Sequence, residues 1–172
     1  AWELAEMLAA PVVTTYAGKS SFPEDHPLSL GSGGATYSKQ AYEFVQKADL
    51  IFGAGCSFTQ TPFAINMPRG KRYIHATWDA MEINKNLPTE LALLGDMDLT
   101  LDALVAEVKD RLKGKPRDAG PVTKEIKAVR DEWLAEWMPH LTSNEMPLSP
   151  YRVLWDLMHT VDRNNCIITH DS

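Results

Sequence analysis

An α/β fold with a parallel sheet and helices on both faces is predicted for this chain by three features of its first 112 residues. Short apolar, β-branched runs alternate with stretches of helical spacing, in the rhythm β–α–β–α–β–α–β–α. The runs are short and continuously apolar, as buried parallel strands are. Glycine turns follow two of them directly, at Gly53-Ala54-Gly55 and at Gly95-Asp96.

The elements follow in order. Ala1 to Ala10 places Leu4, Met7 and Leu8 on one helical face, and Pro11 closes the segment. Pro11 to Thr15 is predicted as a buried strand. Gly18 to Gly31 then forms a loop constrained by Pro23 and Pro27, with Glu24, Asp25 and His26 at its middle. Ala35 to Lys47 carries Tyr37, Ala41, Phe44 and Val45 at helical spacing. Asp49 to Phe52 is the second strand, and residues 56–70 an irregular crossover. Arg72 to Thr77 is the third strand, Asp79 to Asn86 a short helix with Ile83, and Glu90 to Leu94 the fourth strand. Asp98 to Leu112 repeats Leu101, Leu104, Val105 and Val108 on one helical face. The sum is Rossmann-like.

Residues 113–122 are rich in Gly, Pro and charge and are predicted as a linker. A helix from Thr123 to about Met138 has Ile126, Val129, Trp133 and Trp137 as its apolar stripe, the two tryptophans forming a docking face. Ser149-Pro150 opens a further helix, because serine supplies the capping oxygen and proline suits the first turn. That helix groups Val153, Leu154, Leu157 and Met158, and Cys166 to Thr169 is predicted as a last strand. A chain that starts inside a helical pattern and stops at a strand tip is expected to be a piece of a longer polypeptide, truncated at both ends.

Composition excludes several classes. Of the 172 residues 44% are hydrophobic and 23% charged, ordinary values for a globular domain. A net charge of −6 without clustered Lys or Arg argues against nucleic-acid binding. No run of about 18 apolar residues exists to span a membrane. Cys56 and Cys166 have no CxxC or HxxxH company, so neither a zinc site nor a disulfide framework is expected, and the reading is a cytoplasmic protein.

Four residues stand where a nucleotide could be met: Gly31, Gly53, Gly55 and Asp79. Phosphate recognition needs glycines directly after a strand, so that backbone N–H groups reach the oxygens. Gly53 and Gly55 are placed so, but Phe58 occupies the third glycine position of GxGxxG. Gly31 opens the Gly31-Ser32-Gly33-Gly34 run after a long loop. Tight turns and close packing are the competing reading of these glycines. Asp79 could hold a ribose hydroxyl or simply cap the following helix. Glu24, Asp25 and His26 are read as loop-fixing rather than catalytic, Lys19 as a weak phosphate candidate, His75 as a core histidine, and Cys56 as a packed small residue without a base partner.

Several runs together carry a resemblance. They are Pro11-Val12-Val13-Thr14-Thr15-Tyr16-Ala17-Gly18-Lys19, Pro23-Glu24-Asp25-His26-Pro27-Leu28-Ser29-Leu30-Gly31, Ala48 to Gly55, Ile74 to Asp79 with Ile83-Asn84-Lys85, and Gly95-Asp96. In this order and spacing the set resembles the central domain of the thiamine diphosphate-dependent enzymes related to acetolactate synthase, benzoylformate decarboxylase and oxalyl-CoA decarboxylase. Pro147 to Asp171 looks like the opening of that family's pyrophosphate-binding domain. The resemblance implies a DHS-like Rossmann domain at 1–112 lacking its first strand, a linker with one helix at 113–148, and the start of a second domain at 149–172. It also implies thiamine diphosphate and Mg2+ bound by parts of the parent outside this chain, with no catalytic residue and no metal ligand here. The parent would decarboxylate or ligate 2-oxo acids as a dimer or tetramer, its other domains being this chain's partners, and this chain would be inactive alone.

Some relatives hold FAD in the central domain and others an ADP or coenzyme A moiety. Where FAD-binding members resemble Gly-x-Arg-Phe-Asp-Asp-Arg, this chain has Gly55-Cys56-Ser57-Phe58-Thr59-Gln60-Thr61, and Ala76 stands where they carry Asp. These departures argue against FAD and favour structural use of the domain, with an ADP-type nucleotide left open. The alternatives are a stand-alone NAD-, FAD- or ADP-binding module and a structural oligomerisation domain.

Overall fold

Eleven elements follow one another in a computed structural model that describes residues 1–34, 36–162 and 164–168. They divide between two compact units, Ala1–Arg130 and Asp131–Ser172.

In the first unit α1 (Trp2–Leu8) buries Leu4, Ala5 and Met7 and leads into β1 (Val12–Thr15). The Gly18–Gly31 stretch is not wholly loop. Its end forms a strand, β2 (Ser29–Gly33), which runs parallel to β1 with Val12 opposite Ser29 and Thr15 opposite Gly33. Ser and Gly have low strand propensity, which hides this strand in the sequence. Pairing with β1 and burial of Ser29 and Leu30 supply what propensity does not.

Helix α2 (Lys39–Lys47) starts later than the spacing predicts, because Ser38 caps it by accepting from Ala41 N at 3.2 Å. Ala35, the expected start, lies outside the described residues. Buried Ala41 and Phe44 pack with Leu30 and Ile126, and a second cluster joins Ala5, Phe22 and Leu28.

Three further strands, β3 (Leu50–Ala54), β4 (Arg72–Thr77) and β5 (Leu91–Leu94), form a parallel sheet in the order 3-4-5. The strands thus fall into two parallel sheets instead of one. The helix expected over 79–86 is reduced to a single 3₁₀ turn, Ala80–Glu82.

Helix α3 (Met97–Arg111) is capped by Asp96, which accepts from the N–H groups of Asp98 and Leu99 at 3.0 and 3.1 Å. Asp98 in its first turn and Lys109 and Arg111 in its last complement the helix dipole. It closes on a Schellman motif in which Gly114 N meets Lys109 O at 2.8 Å and Lys113 N meets Asp110 O at 3.0 Å. Its expected apolar face, Leu101, Leu104, Val105 and Val108, is half-buried.

Helix α4 (Gly120–Leu141) runs past the predicted stop, with Pro139 inside its last turn and Thr142 N bonded to Met138 O. Its first part buries Ile126 and Val129 in the first unit.

In the second unit Trp133 and Trp137 stack at 5.7 Å, and the edge of Tyr151 meets Trp137 at 5.1 Å. Helix α5 (Pro150–Thr160) begins as predicted, Ser149 accepting from Tyr151 N. Arg152 holds the preceding segment through the carbonyls of Thr142 and Ser143 and the Asn144 side chain. Of the expected apolar group, Val153, Leu154 and Met158 are exposed. No strand forms over 166–168, where among the described residues no strand pairs with the exposed Ile167 and Ile168; 169–172 lie outside the described residues. Among the described residues no helix is long and apolar enough to cross a membrane.

Candidate functional site

Open parallel sheets receive ligands beyond the carboxyl ends of their strands, so the ends of β3 and β4 are where a site would form. Gly53 pairs with His75 and Ala54 with Ala76 in register. Gly55 N then donates to Ala76 O at 2.9 Å, and Gly55 turns the chain away with a left-handed φ of 64°.

The chain itself fills the space above Gly53. A Cβ added there would overlap the edge of the Phe58 ring and lie 2.8 Å from Cys56 Sγ. The Phe58 ring meets Tyr73 edge-on at 5.5 Å and His75 at 4.9 Å, with both neighbours buried. His75 Nε2 donates to Cys56 O at 2.7 Å, which fixes the turn carrying Cys56. Phe58 holds this place from a left-handed backbone, φ 47°, which is costly for a bulky side chain. Tyr73 completes the wall by donating its hydroxyl to Pro68 O, and burial pushes its phenol up.

Burial also pushes the Cys56 thiol up, outweighing the backbone hydrogen bonds that favour the thiolate. A protonated thiol whose neighbouring imidazole is committed to a carbonyl is a packed residue, as expected from its lack of a base partner.

At the end of β4 the acidic groups are also occupied. Asp79 Oδ1 accepts from Met81 N at 2.9 Å, the capping geometry. Buried Thr77 donates to Glu82 Oε2 at 2.7 Å and accepts from Asp79 N. The structure therefore brings Gly53, Gly55 and Asp79 to neighbouring strand ends. Gly31 lies in the other sheet, in the middle of β2, with a φ of 85° and open space where a Cβ would be.

A second glycine is covered in the same way. Beyond β2 the Tyr16 ring lies over Gly34, anchored by its hydroxyl to Thr36 O at 2.8 Å and Thr36 Oγ1 at 2.7 Å. An aromatic at the third position of a GxGxxG run is the sequence signal for the first plug; nothing in the sequence signals the second.

The Glu-Asp-His loop performs a structural task. His26 Nδ1 accepts from Leu28 N, its Nε2 faces Glu6 at 3.4 Å, and Trp2 and Phe22 flank its ring, while Glu24 and Asp25 are exposed. Lys19 is exposed as well. A cleft of about 850 Å³ beside α1 and the end of α3 is lined by Glu3, Glu6, Lys109, Asp110 and Lys113, and shares no residue with the strand ends. Among the described residues no three His, Cys, Asp or Glu side chains converge as metal ligands.

Residues 1–104 match the family described as thiamine pyrophosphate enzyme, central domain. The chain is 32% identical to a probable acetolactate synthase large subunit of Methanocaldococcus jannaschii, over 98% of this chain and 28% of the relative. It is 27% identical to the corresponding protein of Methanococcus aeolicus, over 98% of this chain and 30% of that one. With a probable 2-ketoarginine decarboxylase of Pseudomonas aeruginosa it shares 32% identity, over 79% of this chain and 23% of the relative. The chain thus spans less than a third of the length of these relatives.

Proposed function

This chain belongs to the thiamine pyrophosphate enzyme family through its central domain, and on that premise we propose that it is part of a thiamine diphosphate-dependent 2-oxo acid decarboxylase or carboligase. One observation carries the reading. Similarity to the acetolactate synthases runs over nearly the whole chain, through the residues beyond 104 as well as the central domain.

On this reading residues 1–112 are a central domain without its first strand, 113–148 a linker with one helix, and 149–172 the start of the pyrophosphate-binding domain. The division into two sheets supports it. A doubly wound sheet of order 3-2-1-4-5-6 that lacks strand 1 leaves a pair, 3-2, and a triplet, 4-5-6. The observed sheets are such a pair and such a triplet.

Thiamine diphosphate supplies an electron sink for the carbanion formed when a 2-oxo acid loses carbon dioxide. The matched part of the chain is the central domain, and the chain spans less than a third of the length of its relatives. The cofactor, its metal ion and the substrate pocket are therefore assigned to other domains of a longer cytoplasmic polypeptide that assembles as a homodimer or homotetramer. This chain's own work is architectural. Gly53 seats Phe58, Gly55 turns the chain and Asp79 caps the 3₁₀ turn, so an ADP-type nucleotide would reach the backbone of Gly53 only if the Phe58 ring moved.

Sequencing the reading frame on both sides tests the proposal. An open frame continuing past Ser172 into a Gly-Asp-Gly motif is expected, and a stop codon there would overturn it.

A further inference from the structure

Strand β5 ends the three-stranded sheet, and among the described residues no strand pairs with its outer side. None of its four residues, Leu91-Ala92-Leu93-Leu94, is charged or proline. Leu91 and Leu94 are 51% and 59% exposed, and Ala92 is exposed beside them. An open edge without lysine or proline is a template for a further strand. On the reading that a strand is missing between β1 and β3, the other outer edge is β2, and it is blunted. Val12 N donates to Leu28 O, so by alternation Ser29 faces outward, and its carbonyl accepts from Arg130 at 3.2 Å. No such side chain covers β5.

We propose that β5 is a self-pairing edge, at which two copies of this chain join antiparallel about a twofold axis and continue the sheet from one copy into the other. Glu90 N donates to Tyr73 O, so the backbone groups of residues 90, 92 and 94 turn towards β4, and those of Leu91 and Leu93 point outward. With Ala92 on the axis, Leu91 exchanges both backbone bonds with the partner's Leu93, and the two leucines meet as a cross-strand apolar pair. Ala92 faces the partner's Ala92 at the close position between bonded pairs, where a methyl group fits. No like charges stand opposite each other, since Glu90, already held by Arg72, faces the partner's Leu94.

The pairing deepens the homo-oligomer proposed above by naming its surface, and it takes from that reading only which edges are outer. A stop codon after Ser172 would overturn the thiamine enzyme without touching association, and a monomeric chain would overturn the pairing without touching the reading frame.

Sedimentation equilibrium of the full chain is the test, and a reversible dimer is expected. Ala92→Lys sets two like charges against each other at the axis and is expected to weaken association about tenfold or more. Ala92→Asp is expected to do the same, and an equimolar mixture of the two variants to recover a heterodimer. A chain that stays monomeric at its highest soluble concentration would overturn the proposal. So would a dimer indifferent to Ala92→Lys, or a mixture that associates no better than either variant alone.

Hydrogen exchange keeps the proposal falsifiable if the variants do not fold. In the unsubstituted protein the Leu91 and Leu93 amides are expected to exchange severalfold more slowly in concentrated than in dilute solution. Rates independent of concentration would show that this edge pairs with nothing.

Discussion

His75 Nε2 lies 2.7 Å from the carbonyl oxygen of Cys56, so a buried side chain of β4 fastens the turn that leaves β3. The carbonyl can only accept, so this ring nitrogen carries the proton. Through this one bond the strand pair positions Phe58 two residues further on.

His75→Phe is expected to destabilise the protein by about 1–3 kcal/mol, because the Cys56 carbonyl loses its donor in a buried setting. His75→Gln keeps a donor and is expected to lose less. Urea denaturation compares the midpoints, with an unchanged slope showing that only stability has moved. Equal losses for the two variants would mean that packing, not the hydrogen bond, is what His75 provides.

Gly53→Ala forces the Phe58 ring or the Cys56 thiol out of place and is expected to cost about 1–3 kcal/mol. The combination with Phe58→Leu should cost less than the sum of the single changes, since the smaller side chain makes room for the new methyl. Strict additivity in a double-mutant cycle would show that the two residues do not share the space.

Ser38 Oγ accepts from Ala41 N and donates to Leu30 O at 2.8 Å, so one hydroxyl both caps α2 and ties it to β2. Ser38→Ala is expected to cost about 1 kcal/mol or somewhat more. Ser38→Thr retains both bonds and should lie near the original, whereas Ser38→Asp keeps only the cap. Chemical denaturation of the three variants gives the ranking.

Arg72 grips Glu90 with two parallel bonds of 2.7 Å, across β4 and the entry to β5. Hydrogen bonding to Arg72 is the largest influence on Glu90 and holds its carboxyl below the usual carboxylate range. A depressed folded-state pKa adds stability that is present above the unfolded value and lost as the pH falls through the folded one. The denaturation midpoint should therefore drop more steeply below about pH 4 for the original protein than for Glu90→Gln. Both groups are exposed, so the difference should be small and should shrink in high salt. Identical acid limbs at low salt would remove the pair from the account.

Much of the fold is legible locally. Asp96 before α3, Ser149-Pro150 before α5 and the spacing of Ala41, Phe44 and Val45 in α2 place these helices close to where they form, because caps and apolar stripes involve residues within a turn or two of each other. Strand β2 is not legible in this way. Ser29-Leu30-Gly31-Ser32-Gly33 has the composition of a loop, and it is a strand because β1 lies beside it. The converse holds for Cys166-Ile167-Ile168, whose strand-like composition finds no ladder among the described residues.

By itself the amino-acid sequence determined the family, the parallel α/β plan and the absence of a local metal-binding pattern, since each is written in the order and spacing of neighbouring residues. The tertiary structure decided which backbone edges pair and what stands over each glycine. Gly53 and Gly34 have the same look in sequence as glycines awaiting a phosphate, yet the rings of Phe58 and Tyr16 cover them. Spacing along the chain shows that a backbone can be approached closely. Only packing in three dimensions shows what approaches it, because aromatic burial is satisfied by whichever surface the folded chain brings near.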